Sequence, residues 1–234
     1  MTTKVLIAAL LLVAIVMPAY AVPKSQTGGG PKVGLTVSKW SGDDVDEFGD
    51  LLAWGMNQQS GFEGWHFSSK YRYGLSIGGF IRHDVSPRFS IQPEFLYSFK
   101  GHKFDGGGYY EGYPVDMTMT YKTNYLEIPV LGILSTADAR RNGLDLLLGP
   151  YLAVKVSSKL SVKAEVLGQS EEESTDLDYI KSFDLGLIVG AGFHLASGVI
   201  ADARYGLGLV TVFDQEGSPE VKNRGFVVSA GFRF

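Results

Sequence analysis

Phe89-Ser90-Ile91-Gln92-Pro93-Glu94-Phe95-Leu96-Tyr97-Ser98-Phe99-Lys100 separates into two rows when every second residue is taken. One row, Phe89, Ile91, Pro93, Phe95, Tyr97 and Phe99, is wholly apolar, and both charges, Glu94 and Lys100, fall on the other. A β-strand sends successive side chains to opposite faces, so this is the pattern of a strand with one apolar and one polar side.

Working outward, the alternation recurs. The other apolar rows run Val33 to Val37, Tyr71 to Ile81, Leu126 to Val130, Leu144 to Val154, Phe183 to Phe193, Val199 to Leu209 and Phe226 to Phe234, which makes eight runs in all. Every charge in these spans sits on the polar rows: Lys32, Arg72, Arg82, Glu94, Lys100, Glu127, Asp145, Lys155, Asp184, Asp202, Arg204 and Arg233. Runs with two charges test the phase independently. Arg72 with Arg82, Asp145 with Lys155, and Asp202 with Arg204 all pass, as Glu94 with Lys100 does.

Two architectures alternate in this way. A soluble barrel or sandwich buries the apolar rows, whereas a membrane barrel turns them to lipid and encloses the polar ones. The connections, residues 41 to 70, 83 to 88, 101 to 120, 135 to 143, 156 to 182, 194 to 198 and 213 to 224, alternate long and short. Long loops at one end and short turns at the other are the arrangement of outer-membrane barrels, with both termini on the short-turn, periplasmic side. Aromatics also gather toward the strand ends, Tyr71, Tyr73, Tyr97, Phe99, Phe183 and Phe226 at one and Phe89, Phe193, Phe232 and Phe234 at the other, as in interfacial girdles. Tyr205 and Phe95 lie nearer the middle. The expected fold is therefore all-β: an eight-stranded antiparallel up-and-down transmembrane β-barrel with a side-chain-filled polar lumen. A ten-stranded version recruiting residues 60 to 70 is the alternative.

Lys4 precedes an apolar run from Val5 to Met17, closed by Pro18 and Ala19-Tyr20-Ala21. This is the form of a cleaved secretory signal peptide, and its thirteen apolar residues fall short of the roughly 20 that span a bilayer as a helix. The expected division is residues 1–21 as signal peptide, 22–31 as a flexible lead containing Gly28-Gly29-Gly30, and 32–234 as the barrel domain. No later segment is long and apolar enough for a spanning helix; Leu144 to Val156 is interrupted by Asp145, Gly149, Pro150 and Lys155. Twenty-one basic against twenty-five acidic residues give a net charge of −4, the opposite of a nucleic-acid binder. With no cysteine, disulfides, thiolate metal sites and cysteine nucleophiles are excluded.

Several stretches resemble the PorT-like outer-membrane β-barrel family: Ile91-Gln92-Pro93-Glu94-Phe95-Leu96-Tyr97-Ser98-Phe99-Lys100-Gly101, Tyr125-Leu126-Glu127-Ile128-Pro129, Gly149-Pro150-Tyr151, Asp184-Leu185-Gly186 and Gly231-Phe232-Arg233-Phe234. The resemblance extends over nearly all of the chain after residue 21. It implies an outer-membrane barrel, in a family whose members mostly lack an assigned activity and whose named member assists a protein-secretion apparatus. Phe232 and Phe234, ending an alternating terminal strand, look like the signal read by barrel-assembly machinery.

An eight-stranded barrel is just wide enough to be filled by side chains. Arg72, Arg82, Glu94, Glu127, Asp145, Asp184, Asp202 and Arg204 are expected to form a lumen ion-pair network, with Arg72, Arg82 and Arg204 as counterions of Glu94 and Glu127. A selective pore would need a ring of one sign. Glu94 and Glu127 are paired carboxylates on neighbouring strands, but in such a lumen a structural network outweighs general acid and base work. His194 with Ser197 resembles the pair of some outer-membrane acyl hydrolases but has no evident orienting group. His66, His83 and His102 lack metal-ligand spacing, and Glu171-Glu172-Glu173 with Asp176 and Asp178 fits a solvated loop better than a divalent-cation site. No catalytic residue, cofactor or metal is expected.

The first long connection is too apolar for an idle loop. Val45, Phe48, Leu51 and Leu52 have helical spacing, and Phe48, Trp54, Phe62 and Trp65 form the candidate interaction surface, weighed against a lid that packs on itself. Met117 to Tyr121 alternates beyond the expected membrane span, and protruding strand edges can capture partners. The sequence thus points to an exported outer-membrane protein with a structural or interaction role through its extracellular loops, assistance to secretion or envelope integrity included. Its partners would be outer-membrane lipid, the assembly machinery and a protein at the loops, with no nucleic acid. A small channel, a lipid-modifying enzyme and a soluble periplasmic lipocalin-like binder are the rivals.

Overall fold

A computed structural model of the chain describes residues 27–42, 44–138, 140–214 and 218–234. The expected signal peptide lies outside the described residues. The elements in order are β1 (Thr27–Ser41), α1 (Asp44–Asn57), β2 (Phe62–Lys70), β3 (Arg72–Ser86), β4 (Phe89–Tyr110), β5 (Tyr113–Ser135), β6 (Gly143–Val166), β7 (Gln169–Asp176), β8 (Phe183–His194), β9 (Val199–Thr211) and β10 (Lys222–Phe232). No described helix is long and apolar enough to cross a membrane.

All strand pairings are antiparallel. They run in a closed circuit, β1 to β3, β4, β5, β6, β8, β9, β10 and back to β1. The sheet nevertheless holds ten strands, two more than the eight runs read from sequence. The two additions lie off the circuit: β2 pairs with the far half of β4, Phe62 opposite Tyr110 through Lys70 opposite Lys103, and β7 pairs with the far half of β6. Residues 62–70 thus do form a strand, without widening the ring.

Much of what reads as long loop is extended strand. The connection between β4 and β5 shrinks to Glu111-Gly112 and that between β6 and β7 to Leu167-Gly168, each pair at positive φ, 48° and 83°, then 51° and 80°. Two central residues at positive φ are the tight hairpin turn that matches strand twist, and glycine takes the second position at no steric cost. The described part of the expected lead is strand too. Thr27 to Pro31 belong to β1, in register with His83 through Gly79 of β3. Their small side chains read as a flexible lead, but here the backbone does the pairing. An added Cβ on Gly30 would sit 1.7 Å from the carbonyl oxygen of Phe232.

The apolar rows face outward and are exposed, as at Tyr73 (78%) and Leu148 (63%), while Lys32, Glu94 and Arg204 on the polar rows are buried. A lipocalin-like barrel would show the reverse. The apolar core lies beyond one end of the ring, the end of the long connections. Trp40, Val45, Phe104, Tyr121, Leu177, Ile180, Val212, Phe213 and Val221 bury one another there, with Phe48, Leu52 and Phe67 against them. Helix α1 supplies one side of this cap. Asp44, Asp46 and Glu47 occupy its first turn, where carboxylates suit the helix dipole, and Val45, Gly49 and Ala53 turn inward. Gly49 allows close approach: a Cβ there would come within 3.3 Å of the Phe67 carbonyl oxygen. After the helix, the Asn57 amide accepts from Trp65 N–H at 2.9 Å and donates to the Trp65 carbonyl at 3.2 Å, anchoring β2.

Candidate functional site

The polar rows meet inside the ring in three layers. In the middle layer Glu94 accepts from both terminal nitrogens of Arg204 at 2.6 and 2.8 Å and from Lys32 Nζ at 3.1 Å. Asp202 completes the square, accepting from Lys32 at 2.6 Å and Arg204 at 3.0 Å, with Ser229 Oγ donating at 2.6 Å. Two cations and two carboxylates balance, and Gln92 Nε2 adds a hydrogen bond to Glu94 at 2.6 Å. Buried ions survive only when paired and hydrogen-bonded, and that condition is met here.

Toward the short turns, Arg82 reaches Asp145 at 3.1 Å and Ser135 at 2.9 Å, and Arg233 reaches Asp84 at 2.8 Å. His194 Nδ1 lies 2.9 Å from Asp145, and its Nε2 lies 3.2 Å from the Asp138 carbonyl oxygen. Those contacts tie His194 to the lumen wall, and Ser197 takes no part in them. Leu131, Ile133 and Leu147 also point inward at this level, so the lumen is apolar in part, a departure from the fully polar filling expected. Toward the cap, Lys100 pairs with Glu127, which also accepts from Ser98 at 2.6 Å. Asp184 accepts from Tyr151 at 3.0 Å and Asn223 at 3.1 Å.

Of the expected counterions, Arg204 does serve Glu94. Arg82 serves Asp145 instead, and Arg72 donates to the Lys100 backbone carbonyl rather than to a carboxylate. Glu127 takes Lys100. Glu94 and Glu127 therefore belong to separate layers with separate cations and do not act as a carboxylate pair. Lys32, Asp84 and Lys100 belong to the network beyond the residues expected from sequence, and Lys32 and Lys100 stand on polar rows. Asp84 sits beyond the Tyr71 to Ile81 row, where it meets Arg82 at 3.6 Å, Ser90 at 2.7 Å and Arg233 at 2.8 Å. A space between the layers, lined by Lys32, Glu127, Tyr151 and Arg204 among others, measures about 40 Å3, room for a few waters.

Above the upper layer the aromatic cap closes the ring. Trp40 stacks on His102 with centroids 5.0 Å apart and meets Tyr121 at 4.6 Å and Phe213 at 5.1 Å. The Trp40 N–H donates to His102 Nδ1 at 3.0 Å. Burial, aided by the Lys39 ammonium, lowers the His102 pKa from 6.5 to about 3, so the ring is neutral and able to accept that bond.

The candidate surface Phe48, Trp54, Phe62 and Trp65 divides. Trp65 is buried over Gly108, Phe48 packs into the cap, and Phe62 is half-buried against Trp65 and Tyr110; only Trp54, at 62%, stands exposed. Three of the four were apolar because they build the lid. Leu51, at helical spacing with Val45, Phe48 and Leu52, joins Trp54 on the open side at 56%. Glu171-Glu172-Glu173, expected in a loop, lie in β7, where Lys122 reaches Glu172 at 3.2 Å. Among the described residues no three metal-ligating side chains cluster. Phe232 lies opposite Val199 in the ladder, and Phe234 exchanges backbone hydrogen bonds with Gly29.

Among solved structures, the chain is similar to Ail, the attachment invasion locus protein of Yersinia pestis, in its complex with the heparin analogue sucrose octasulfate: 17% identity, TM-score 0.42, covering 90% of this chain and 100% of that one. Neisserial surface protein A follows at 14% identity and TM-score 0.36, covering 89% and 96%. OprG from Pseudomonas aeruginosa stands at 9% and 0.33, covering 89% and 94%. No curated protein matches the chain by sequence. A family model described as outer membrane protein beta-barrel domain matches residues 25–214. With outward apolar rows, a paired charged interior and a family match over most of its length, the chain belongs to the outer-membrane β-barrel domain family and is an integral outer-membrane protein.

Proposed function

We propose that this is a closed eight-stranded transmembrane barrel without enzymatic activity, serving as a structural or interaction protein whose long-loop end faces the cell exterior and meets a protein partner. The observation that carries this reading is the division of the cap. Its aromatic side is spent on sealing the ring, while Leu51 and Trp54 on α1, Tyr109, Tyr110 and Tyr113 on the β4–β5 hairpin and Leu167 at the β6–β7 turn stay exposed beyond the lipid-facing rows. Exposed apolar area of this kind marks a contact surface. The layered ion pairs and the cap argue against a conducting pore, and although Asp145 supplies His194 with an orienting carboxylate, its other ring nitrogen meets the Asp138 carbonyl rather than Ser197.

In this reading residues 1–21 direct export, both termini are periplasmic, and Phe232 and Phe234 are read by assembly machinery during insertion. The affiliation with PorT-like proteins, and with it a part in secretion or envelope integrity, belongs to the same proposal. The test is a photocrosslinking residue at position 54 in intact cells, combined with surface proteolysis. A discrete protein adduct from position 54, absent from position 187 on the lipid face, is the expected result. A steady ionic current through the purified chain in planar bilayers, or cleavage of the long connections only after the outer membrane is breached, would overturn it.

A further inference from the structure

The outward face changes character abruptly where it leaves the apolar band at the long-loop end. On β1 the outward row Val33, Leu35, Val37 ends in Lys39; on β10 the row Val228, Phe226 ends in Arg224 and Lys222. The register sets Lys39 directly opposite Arg224, and Lys222 opposite Thr211 of β9. Two residues before the outward Phe183 of β8, Lys181 donates to Thr211 Oγ1 at 2.9 Å. Four cations thus form an arc over four adjacent strands, just beyond the exposed Tyr73, Phe226, Leu209 and Phe183. The Lys39 ammonium also lies over the Tyr71 ring, 5.1 Å from its centroid.

Like charges directly opposite each other on paired strands repel, and this chain, at −4 overall, does not place cations here for want of carboxylates. Elsewhere at the same end four lysines are neutralised, Lys103 by Asp105 at 2.8 Å, Lys122 by Glu172 at 3.2 Å, Lys159 by Asp176 at 3.3 Å and Lys163 by Glu165 at 3.5 Å. Among the described residues no carboxylate comes within ion-pair distance of the four in the arc. Arg224 Nε is buried without a hydrogen-bond partner. Beside it opens a cleft of about 430 Å3, lined by Ser41, Gly42, Asp44, Glu220, Lys222 and Arg224. The Asp44 carboxylate is engaged by the Glu220 N–H at 2.6 Å.

A cationic arc over an aromatic girdle is complementary to headgroup phosphate, because girdle residues sit at headgroup level and arginine binds phosphate through paired N–H donors. We propose that Lys39, Lys181, Lys222 and Arg224 bind the phosphate groups of an anionic lipid in the outer leaflet of the outer membrane. The leaflet follows from the orientation given under Proposed function; the phosphate chemistry does not depend on it.

The full chain, folded in phosphatidylcholine nanodiscs, would be exposed to bisphosphorylated lipid A, to the same lipid A stripped of phosphate, and to inorganic phosphate, with bound lipid counted by native mass spectrometry. Parent protein is expected to retain bisphosphorylated lipid A and not the stripped form. The variant K39Q/K181Q/K222Q/R224Q should retain it at least about tenfold more weakly, given the per-cation attraction of anionic headgroups. The variant K103Q/K122Q/K159Q/K163Q, which removes the paired cations, should behave as parent. Should the arc variant not regain heat-modifiable migration, R224Q and K39Q alone are each expected to weaken retention severalfold. Equal retention by parent and arc variants, or by both lipid forms, overturns the site, as does saturation by inorganic phosphate at the concentration of lipid A. Surface proteolysis reports separately on orientation: long connections facing the periplasm would move the site to the inner leaflet and leave the phosphate result standing.

Discussion

At the residue scale, Glu94 shows what holds the lumen together. It is fully buried and accepts from Arg204, Lys32 and Gln92. Replacing it by glutamine leaves two buried cations with Asp202 as their remaining carboxylate, and breaking a buried pair from one side costs about 3–5 kcal/mol. Glu94→Gln should lose that much in urea unfolding from lipid vesicles, followed by tryptophan fluorescence, whereas Glu165→Gln, which opens a half-exposed pair with Lys163, should change stability by less than about 1 kcal/mol. His102 makes a second test, outside the membrane. Its folded pKa of about 3 lies below the ordinary 6.5, so the unfolded cap binds a proton that the folded cap does not. The stabilisation is present above pH 6.5 and is lost as pH falls from there toward 3. Hydrogen exchange of the Trp40 amide should accelerate across that window, and His102→Phe, which cannot titrate, should flatten the pH dependence. An unchanged dependence in His102→Phe would assign the acid sensitivity to another group.

Among the elements, those legible in the sequence were the ones whose two faces meet different surroundings. β4 shows its period because Glu94 and Lys100 must point inward while Phe95 and Tyr97 point out. Leu131 and Ile133 blur the same signal in β5, since they turn inward and make both rows apolar. β7, Gln169-Ser-Glu-Glu-Glu-Ser-Thr-Asp, has no apolar residue and no period at all. It is a strand because the Leu167-Gly168 turn folds it back onto β6, with Lys159 opposite Asp176 and Lys163 opposite Glu172. That turn carries its own prediction. Leu167 is a leucine at φ 51°, a conformation costing most L-residues roughly 1–2 kcal/mol. Asparagine is favoured at this position of the turn. Leu167→Asn should stabilise the β6–β7 hairpin by up to about 1 kcal/mol, read as increased hydrogen-exchange protection along β7. Helix α1 was anticipated from its spacing, but the spacing alone did not tell which apolar residues close the lid. Phe48 and Leu52 do, whereas Leu51 is left outside, because Gly49 brings the helix down on Phe67 and Phe104.

For the whole molecule, the decisive property is inversion: the apolar rows outside and the ions inside. One pair of substitutions puts it to the test. Leu187 lies on the outward row of β8, opposite Leu207, and Ser229 lies on the inward row of β10, donating to Asp202. If the outward rows face lipid, Leu187→Arg places a cation in hydrocarbon, at a cost of roughly 2–4 kcal/mol near the midplane that falls toward the interfaces. Moving the arginine to Val199, nearer the rim, should therefore cost less. Ser229→Arg meets a different obstacle. The space that Ser229 lines is only about 40 Å3, too small to take a whole arginine side chain without displacing its neighbours, and the new cation would compete with Lys32 and Arg204 for Asp202 and Glu94. Its penalty should depend on the charge of its neighbours and fall when Lys32→Met is added, whereas Lys32→Met should leave the cost of Leu187→Arg unchanged, because sites without shared partners add independently. Unfolding midpoints of the two double variants in vesicles separate the outcomes. Coupling of Lys32 to position 229 alone is the signature of a barrel whose charges are inside; equal and small effects at both positions would place water, not lipid, against the apolar rows.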